Sequence, residues 1–269
     1  LFCDNSARDI IDMLTAEMAQ NGVELRLRTT LESVTKTESG FSVSLGGDGT
    51  MLHSVHVLDG AAVPLLGVNL GRLGYLTEVE ADDIRGALTR FDAGAEEGGW
   101  TLDERMMLDV GAVDGDGQAI GTWRALNEGV VEKLISGHTV HLLVRIDGEP
   151  FTSYATDGLI VSTPTGSTAY SLSARGPIVS PKHRALLVTP VAPHMLFDRS
   201  LVLDPTETVE IEVLDGHTAS IAIDGRATCT LKSGAIVTCR PSAATARFVR
   251  FGEHHYHQVL KAKFGLTDR

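Results

Sequence analysis

"SLGGDGTMLHS", residues 44–54, joins two differently patterned runs through three glycines, an aspartate and a threonine. Before it, "FSVSL" alternates Phe41, Val43 and Leu45, as a half-buried strand does. After it, Met51, Leu52, Val55 and Leu58 recur at helical spacing. A glycine turn between a strand and a helix lies at the carboxyl end of a sheet, where ligands of open α/β sheets bind.

Outward from that stretch the same alternation continues. Residues 5–20 place Ile10, Met13, Leu14 and Met18 on one helical face, with Asn5 or Ser6 to cap the start and Gly22 past the end. "VELRL" (23–27) reads as a strand, and the opening "LF" as the stub of another. "VPLLGV" (63–68) is a short buried strand before the glycine-punctuated "NLGRLGYLTE". Ile84, Leu88 and Phe91 mark a further helix. Strands alternating with helices predict a parallel, doubly wound sheet, a Rossmann-like α/β domain.

The texture changes at "AEEGGW" (95–100), read as a linker. Beyond it, "TVHLLVRI", "TVEIEVL" and "TASIAI" alternate, and Asp-Gly pairs near 114–117 and at 147, 215 and 224 are hairpin signals. That half is predicted to be all-β and sandwich-like. "ARFVRF" (246–251) and the helical "YHQVLKAKF" can return to the first domain. The expected division is an α/β domain at 1–98, joined by 245–269, and an all-β domain at 99–244. There is no internal repeat and no low-complexity segment.

The chain has 269 residues, 43% hydrophobic and 22% charged, enough for one large or two ordinary domains. Its 23 Lys+Arg against 35 Asp+Glu give a net charge of −12, which argues against non-specific nucleic-acid binding. An anionic ligand must then be met by local donors or a metal. No apolar run approaches a membrane span, and the first residues do not read as a signal peptide. Cys3, Cys229 and Cys239 are sparse and odd in number, as expected of a reducing compartment such as the cytoplasm. Cys229 and Cys239 lack metal-ligand spacing and read as buried or half-buried thiols.

Three stretches carry chemistry. Gly46, Gly47 and Gly49 let a phosphate approach the backbone, the following helix supplies N–H groups, and Thr50 can cap it. The lysine of a P-loop is absent. Asp48 is the odd member: an acid beside phosphates either binds Mg²⁺ or takes a proton from an attacking hydroxyl. "TDGLIVSTPTGSTAYSLSARGPIVSP" (156–181) ends a strand, Leu159 to Ser162, in hydroxyls and free N–H groups that suit sugar hydroxyls and phosphate oxygens. Tyr170 adds a flat face for a ring. In "LNEGVVEK" (126–133), Asn127 and Glu128 set an amide beside a carboxylate, a pair able to read an adenine edge and hold a ribose diol.

In that order and spacing, GGDGT, NE and the TPTGSTAYSLS block resemble the NAD kinase family. The resemblance extends through "LLGVNLGRLGYLTE" and "VTPVAPHML". It implies transfer of the γ-phosphoryl of ATP to the 2′-hydroxyl of the adenosine ribose of NAD. It also implies a divalent metal, Mg²⁺ with ATP, and a homodimer or homotetramer; inorganic polyphosphate is a second donor to consider. Asp48 falls on the family's catalytic base, with Gly46, Gly47, Gly49 and Thr50 beside it in the nucleotide site. The dinucleotide-contacting pair falls on Asn127 and Glu128, and the next acid on Asp157. The hydroxyl block falls on Thr165, Thr168, Ala169, Tyr170, Ser171, Leu172 and Ser173. Tyr75, His138 and Ala192 match weaker contact positions. No residue is assigned as a metal ligand.

Three positions depart from the family pattern. Arg175 stands where a second glycine is usual, Arg226 at a glutamine-like position, and His53 where the family is often basic. Each is expected to alter affinity or the choice between NAD and NADH. Arg72 can reach phosphate or cap its loop. His56 packs or is solvated, and His254, His255 and His257 read as a solvated terminal segment. Lipid and sugar-phosphate kinases also carry GGDGT-like stretches, but the NE pair and the TPTGSTAY block set this chain apart. A non-catalytic dinucleotide-binding regulator is the other alternative, against which the intact Asp48 speaks.

Overall fold

The computed structural model describes residues 33–35, 42–70, 74–135, 137–214, 216–252 and 256–266. The expected helix at 5–20, the strand at 23–27, the opening "LF", Cys3, Phe41, Arg72, His254 and His255 lie outside the described residues. The chain forms two compact units, Leu1–Glu104 with Ala246–Arg269, and Arg105–Thr245.

In the first unit, strand β2 (Ser42–Leu45) pairs antiparallel with β1 (Ser33–Thr35) and parallel with β3 (Pro64–Asn69). Helix α1 (Asp48–Leu58) makes the crossover between β2 and β3, the usual link between parallel neighbours. On its other edge β3 pairs parallel with Arg247 and Phe248 of the last strand, β16 (Ile236–Arg250), and its end pairs with β4 (Val79–Glu80). Helix α2 (Ile84–Asp92) packs Ala87 against Leu66 and Val249.

Two expectations change here. "FSVSL" alternates, yet all four residues of β2 are buried. An interior strand is covered on both faces, and the polar side is satisfied internally: Ser44 Oγ meets Ser54 Oγ of α1 at 2.9 Å. The expected linker at 95–100 contains a helical turn, α3 (Ala95–Gly98). Arg90 donates to Gly98 O at 2.9 Å and Trp100 stacks on Phe91 at 4.6 Å, which folds the segment back onto α2.

Arg250 ends β16 with its side chain 2% exposed. Its Nη1 donates to Leu76 O and Thr77 O, both at 3.2 Å, and to Glu78 Oε2 at 3.0 Å, while Nε reaches Asp103 Oδ2 at 3.3 Å. Glu78 Oε1 accepts the Phe251 N–H at 2.8 Å. One buried guanidinium thus fixes the carbonyls of residues 76 and 77 and the side chain of Glu78.

The second unit packs two sheets over one core. In one, β13 (Val209–Val213) pairs antiparallel with the first half of β16 and with β8 (Val140–Ile146), and β8 pairs with β9 (Glu149–Thr156). Strand β5 (Thr101–Val113) pairs with β6 (Ala119–Ala125). The other sheet runs β12 (Leu201–Leu203), β11 (Leu186–Val191), β10 (Gly158–Ser162), β7 (Glu128–Lys133), β14 (Thr218–Ile223), β15 (Arg226–Lys232). Leu142, Val144 and Ile211 from the first sheet meet Leu159, Val188 and Ile221 from the second. Asp147-Gly148 and Asp224-Gly225 close two-residue hairpins with positive φ throughout (50° and 82°, 47° and 75°), the geometry Asp-Gly favours.

All five residues of β10 are buried, because Ile160, with Val130 and Ala222, is covered on the outer face by Ala174 and Val191. The hydroxyl-rich segment after β10 provides part of that cover, through a 3₁₀ turn at Thr165–Thr168 and helix α4 (Tyr170–Ser173). Cys239 is buried, which pushes its thiol up to about 12, and Cys229 is half-buried. Among the described residues no helix is long and apolar enough to cross a membrane.

Replacing Arg250 by Met takes the guanidinium away from two carboxylates and two carbonyls at once. The variant is expected to lose about 3–5 kcal/mol of stability, the usual cost of breaking a buried ion pair, read from the urea midpoint.

Candidate functional site

Asp48 is the first residue of α1, and Gly47 is its N-cap at φ −94°, ψ −167°. The helix therefore starts before Gly49. Thr50 is not the cap: the Gly47 carbonyl accepts the Thr50 and Met51 N–H groups at 3.0 and 3.2 Å. Thr50 instead packs over Gly46, where a Cβ would overlap its Oγ1. At Gly47 and Gly49 a Cβ would meet nothing within 4 Å, so the backbone there is open to a ligand.

The Asp48 carboxylate is held from three sides. Tyr75 N–H donates to Oδ2 and Leu76 N–H to Oδ1, both at 2.9 Å. Lys263 Nζ, at the end of α5 (Tyr256–Lys263), lies 3.2 Å from Oδ2. Gly74 makes this approach possible, since a Cβ there would overlap Asp48 Oδ1. The carboxylate keeps 33% side-chain exposure, so a substrate can reach it. Lys263 Nζ also lies 4.0 Å from the centre of the Tyr75 ring, and Tyr256 stands 6.1 Å from that ring. Burial, then Tyr256, then Asp48 raise the Tyr75 hydroxyl above its ordinary pKa. His53 is half-buried on the second turn of α1.

The structure thus groups Asp48 with Gly46, Gly47, Gly49, Thr50 and Tyr75, and adds Lys263. Sequence reading missed that lysine. It is 215 residues from Asp48 and carries no local motif. The cationic end of "YHQVLKAKF" on a returning helix was the one available signal.

A second cluster forms in the other unit around Asp224. Its carboxylate accepts the N–H groups of Leu126, Asn127 and Glu128 at 2.8, 2.8 and 2.9 Å. Thr163 Oγ1 donates to Leu126 O at 2.6 Å, and Thr163 N–H donates to Asn127 O at 2.8 Å. A Cβ on Gly166 would overlap Asn127 O, so the hydroxyl-rich turn lies directly on this backbone. Sequence reading took Asp224 only as a hairpin residue, and its clamping role has no sequence signature.

Glu128 is 4% exposed, and among the described residues its Oε2 has no hydrogen-bond partner. Burial, then the Asp224 charge, push its carboxyl up to about 8, against the opposing Tyr170 N–H. Tyr170 is exposed over part of its ring, and its hydroxyl is raised by partial burial and then by Glu132, Asp157 and Glu128. Asp157 pairs with Lys133 at 2.6 Å, and its N–H reaches Val191 O, next to Ala192 at φ 46°. Thr168 Oγ1 donates to Thr165 O at 3.3 Å, and Ser171 Oγ meets Thr189 Oγ1 at 3.1 Å. Ala169 and Leu172 are half-buried and Ser173 exposed.

Arg226 follows the Asp224-Gly225 turn and is exposed. Arg175 is exposed at φ 66°, a left-handed position that glycine adopts without strain. His138 stands outside the group: it is exposed, with its N–H donated to Ile135 O, and among the described residues it makes no bond to the Asn127 cluster.

The profile of the ATP-NAD kinase N-terminal domain matches residues 5–95, and that of the ATP-NAD kinase C-terminal domain matches 126–251. An NAD kinase of Heliobacterium modesticaldum is 41% identical over 222 residues, spanning 82% of this chain and 77% of that protein. The chain belongs to the NAD kinase family. Another NAD kinase, from Gemmatimonas aurantiaca, is 37% identical over 250 residues, 93% of this chain and 82% of its own. Among solved structures, yeast NADH kinase complexed with NADH superposes with a TM-score of 0.78 at 29% identity, over 84% of this chain and 66% of that one. An NAD kinase from Archaeoglobus fulgidus in complex with ATP shares the fold, with a TM-score of 0.71 at 23% identity, over 96% and 95% of the two chains. In this NAD kinase family member, GGDGT lies in the N-terminal match, and NE and the hydroxyl block lie in the C-terminal one.

The raised pKa of Glu128 has a measurable sign. Below pH 4.5, its ordinary value, folded and unfolded chains both hold the proton. Between that and about 8 the unfolded chain ionises first, so the folded state binds more protons and stability falls as pH rises. Glu128→Gln removes that slope. Its stability relative to the parent is expected to grow across this window by on the order of 1 kcal/mol per pH unit, measured by urea titration at several pH values.

Proposed function

We propose that this chain transfers the terminal phosphoryl group of ATP to the 2′-hydroxyl of the adenosine ribose of NAD, giving NADP and ADP. The observation that carries the proposal is Asp48. It is a reachable carboxylate at a helix N-terminus, flanked by bare backbone and aimed by two N–H groups. In a member of the NAD kinase family, that is where a base for the acceptor hydroxyl belongs.

Phosphoryl transfer asks mainly for alignment and for stabilisation of charge on the moving group. The N-terminus of α1 and the open backbone at Gly47 and Gly49 offer N–H groups to donor phosphates. Gly46 and Thr50 shape that turn, with His53 and Tyr75 bordering it. A divalent ion arriving with the donor, expected to be Mg²⁺, would offset part of the phosphates' charge, and no residue of this chain is assigned to hold it. Asp48 accepts the proton as the ribose oxygen attacks.

Asn127 and Glu128 are assigned to the adenine edge and ribose of the dinucleotide. Their backbone is fixed by Asp224 and Thr163, so the side chains are presented without rearrangement. Glu128 is burdened by burial, and a ligand that donates to its unpartnered oxygen relieves that cost. Thr165, Thr168, Ala169, Tyr170, Ser171, Leu172 and Ser173 line the remaining contact, with Asp157 and Ala192 beside them. Arg226 is assigned to the same ligand and His138 to its periphery. The chain is further proposed to work in the cytoplasm as a homodimer or homotetramer, with polyphosphate as an alternative donor to be scored beside ATP.

Asp48→Asn keeps the size of the side chain and one acceptor oxygen, so one of the Tyr75 and Leu76 N–H groups loses its acceptor, and the base is removed. NADP formation is expected to fall about 10²- to 10⁴-fold, the usual worth of general-base help. NAD titrated by calorimetry should bind as before. Full turnover in the variant would remove Asp48 from its role.

A further inference from the structure

The glycine turn lacks the lysine that serves phosphates in a P-loop, and the chain carries a net charge of −12. Asp48 puts one of those negative charges where a triphosphate is to be received. The structure supplies a cation from the far end of the sequence. Lys263 Nζ lies 3.2 Å from Asp48 Oδ2 and 4.0 Å from the Tyr75 ring centre.

We propose that Lys263 is a catalytic cation of this site, neutralising Asp48 before the donor arrives and then binding the transferring phosphoryl group. The inference rests on the kinase reading above. Four observations support it. The lysine side chain is 31% exposed, so the ammonium remains open to an incoming anion. Lys261 and Lys263 lie in the last turn of α5, where the helix dipole favours positive charge. The Tyr75 face holds the ammonium on a second side, so its position does not depend on the carboxylate alone. An ion pair this exposed contributes little to stability, so a purely structural role is a poor account of it.

The step balances without another reactant. The ribose O2′ forms a bond to the γ-phosphorus. The bond from that phosphorus to the β,γ-bridging oxygen breaks, and its electron pair leaves with ADP. The hydroxyl proton passes to Asp48. Lys263 keeps its proton throughout and shifts its N–H donors from Asp48 Oδ2 to the phosphoryl oxygens. That shift frees a lone pair on Asp48 as the proton is transferred. A lysine suits this movement, being a compact charge on a flexible stem with three rotatable donors.

Lys263→Met and Lys263→Arg test the assignment on the full chain. In Lys263→Met, kcat is expected to fall on the order of 10²-fold, the scale of losing one charge-stabilising donor. The KM for ATP should rise, while calorimetric NAD affinity and the melting temperature stay near those of the parent. Lys263→Arg should recover most of the loss.

Unchanged kcat and ATP KM in Lys263→Met would overturn the proposal. So would a loss of rate that merely follows a loss of melting temperature. Should the Met variant melt early, Lys263→Gln assayed well below its own melting temperature decides by the same criteria. If the parent chain itself makes no NADP, the kinase reading fails instead. ATP titration of parent and Lys263→Met by calorimetry then still tests the cation, with equal affinities counting against it.

Discussion

Two backbone N–H groups on one carboxylate organise the first unit. Tyr75 and Leu76 hold Asp48, and that contact requires a backbone approach which only Gly74 permits. The segment making the approach is itself held from below. Arg250 grips the carbonyls of Leu76 and Thr77, and Glu78 ties the guanidinium to the Phe251 N–H. The last strand of the sheet thereby governs where a carboxylate at the start of α1 points. A hydrogen bond to a charged group is about twice as strong as a neutral one, so the arrangement is stiff although the aspartate is partly exposed.

The fold class was legible because its signals are local. "SLGGDGTMLHS" announced a strand, a turn and a helix in eleven letters, and Asp-Gly pairs marked the hairpins at 147 and 224. What escaped depends on neighbours remote in sequence. Ser42 and Ser44 read as the wet side of a strand, because nothing near them says that a helix covers that side and supplies Ser54. Thr50 read as a cap because threonine favours that role, but a glycine carbonyl had already closed the turn. "AEEGGW" read as a linker because glycine and acid dominate it, while Arg90 and Phe91 recruit it from outside.

The candidate site divides in the same way. Asp48, Asn127, Glu128 and the hydroxyl block stand in motifs and were named from sequence. The groups that set them in place, Asp224, Thr163, Arg250 and Lys263, act over separations of roughly 40 to 215 residues and leave no local trace. Around Glu128, Glu132 and Asp157 also act on Tyr170. That acidity suits a ligand's sugar hydroxyls and base edge, which donate, better than its phosphates.

Asp224 has a consequence for how this chain can change. It grips residues 126–128 through main-chain amides, bonds that do not depend on which side chains those residues carry, although the Glu128 carboxyl feels its charge. Proline, with no amide hydrogen, is excluded there. At Asn127 the scaffold is thus separated from side-chain identity, which makes that position a natural place for ligand preference to drift, or to be redesigned, while the strand that follows keeps its course.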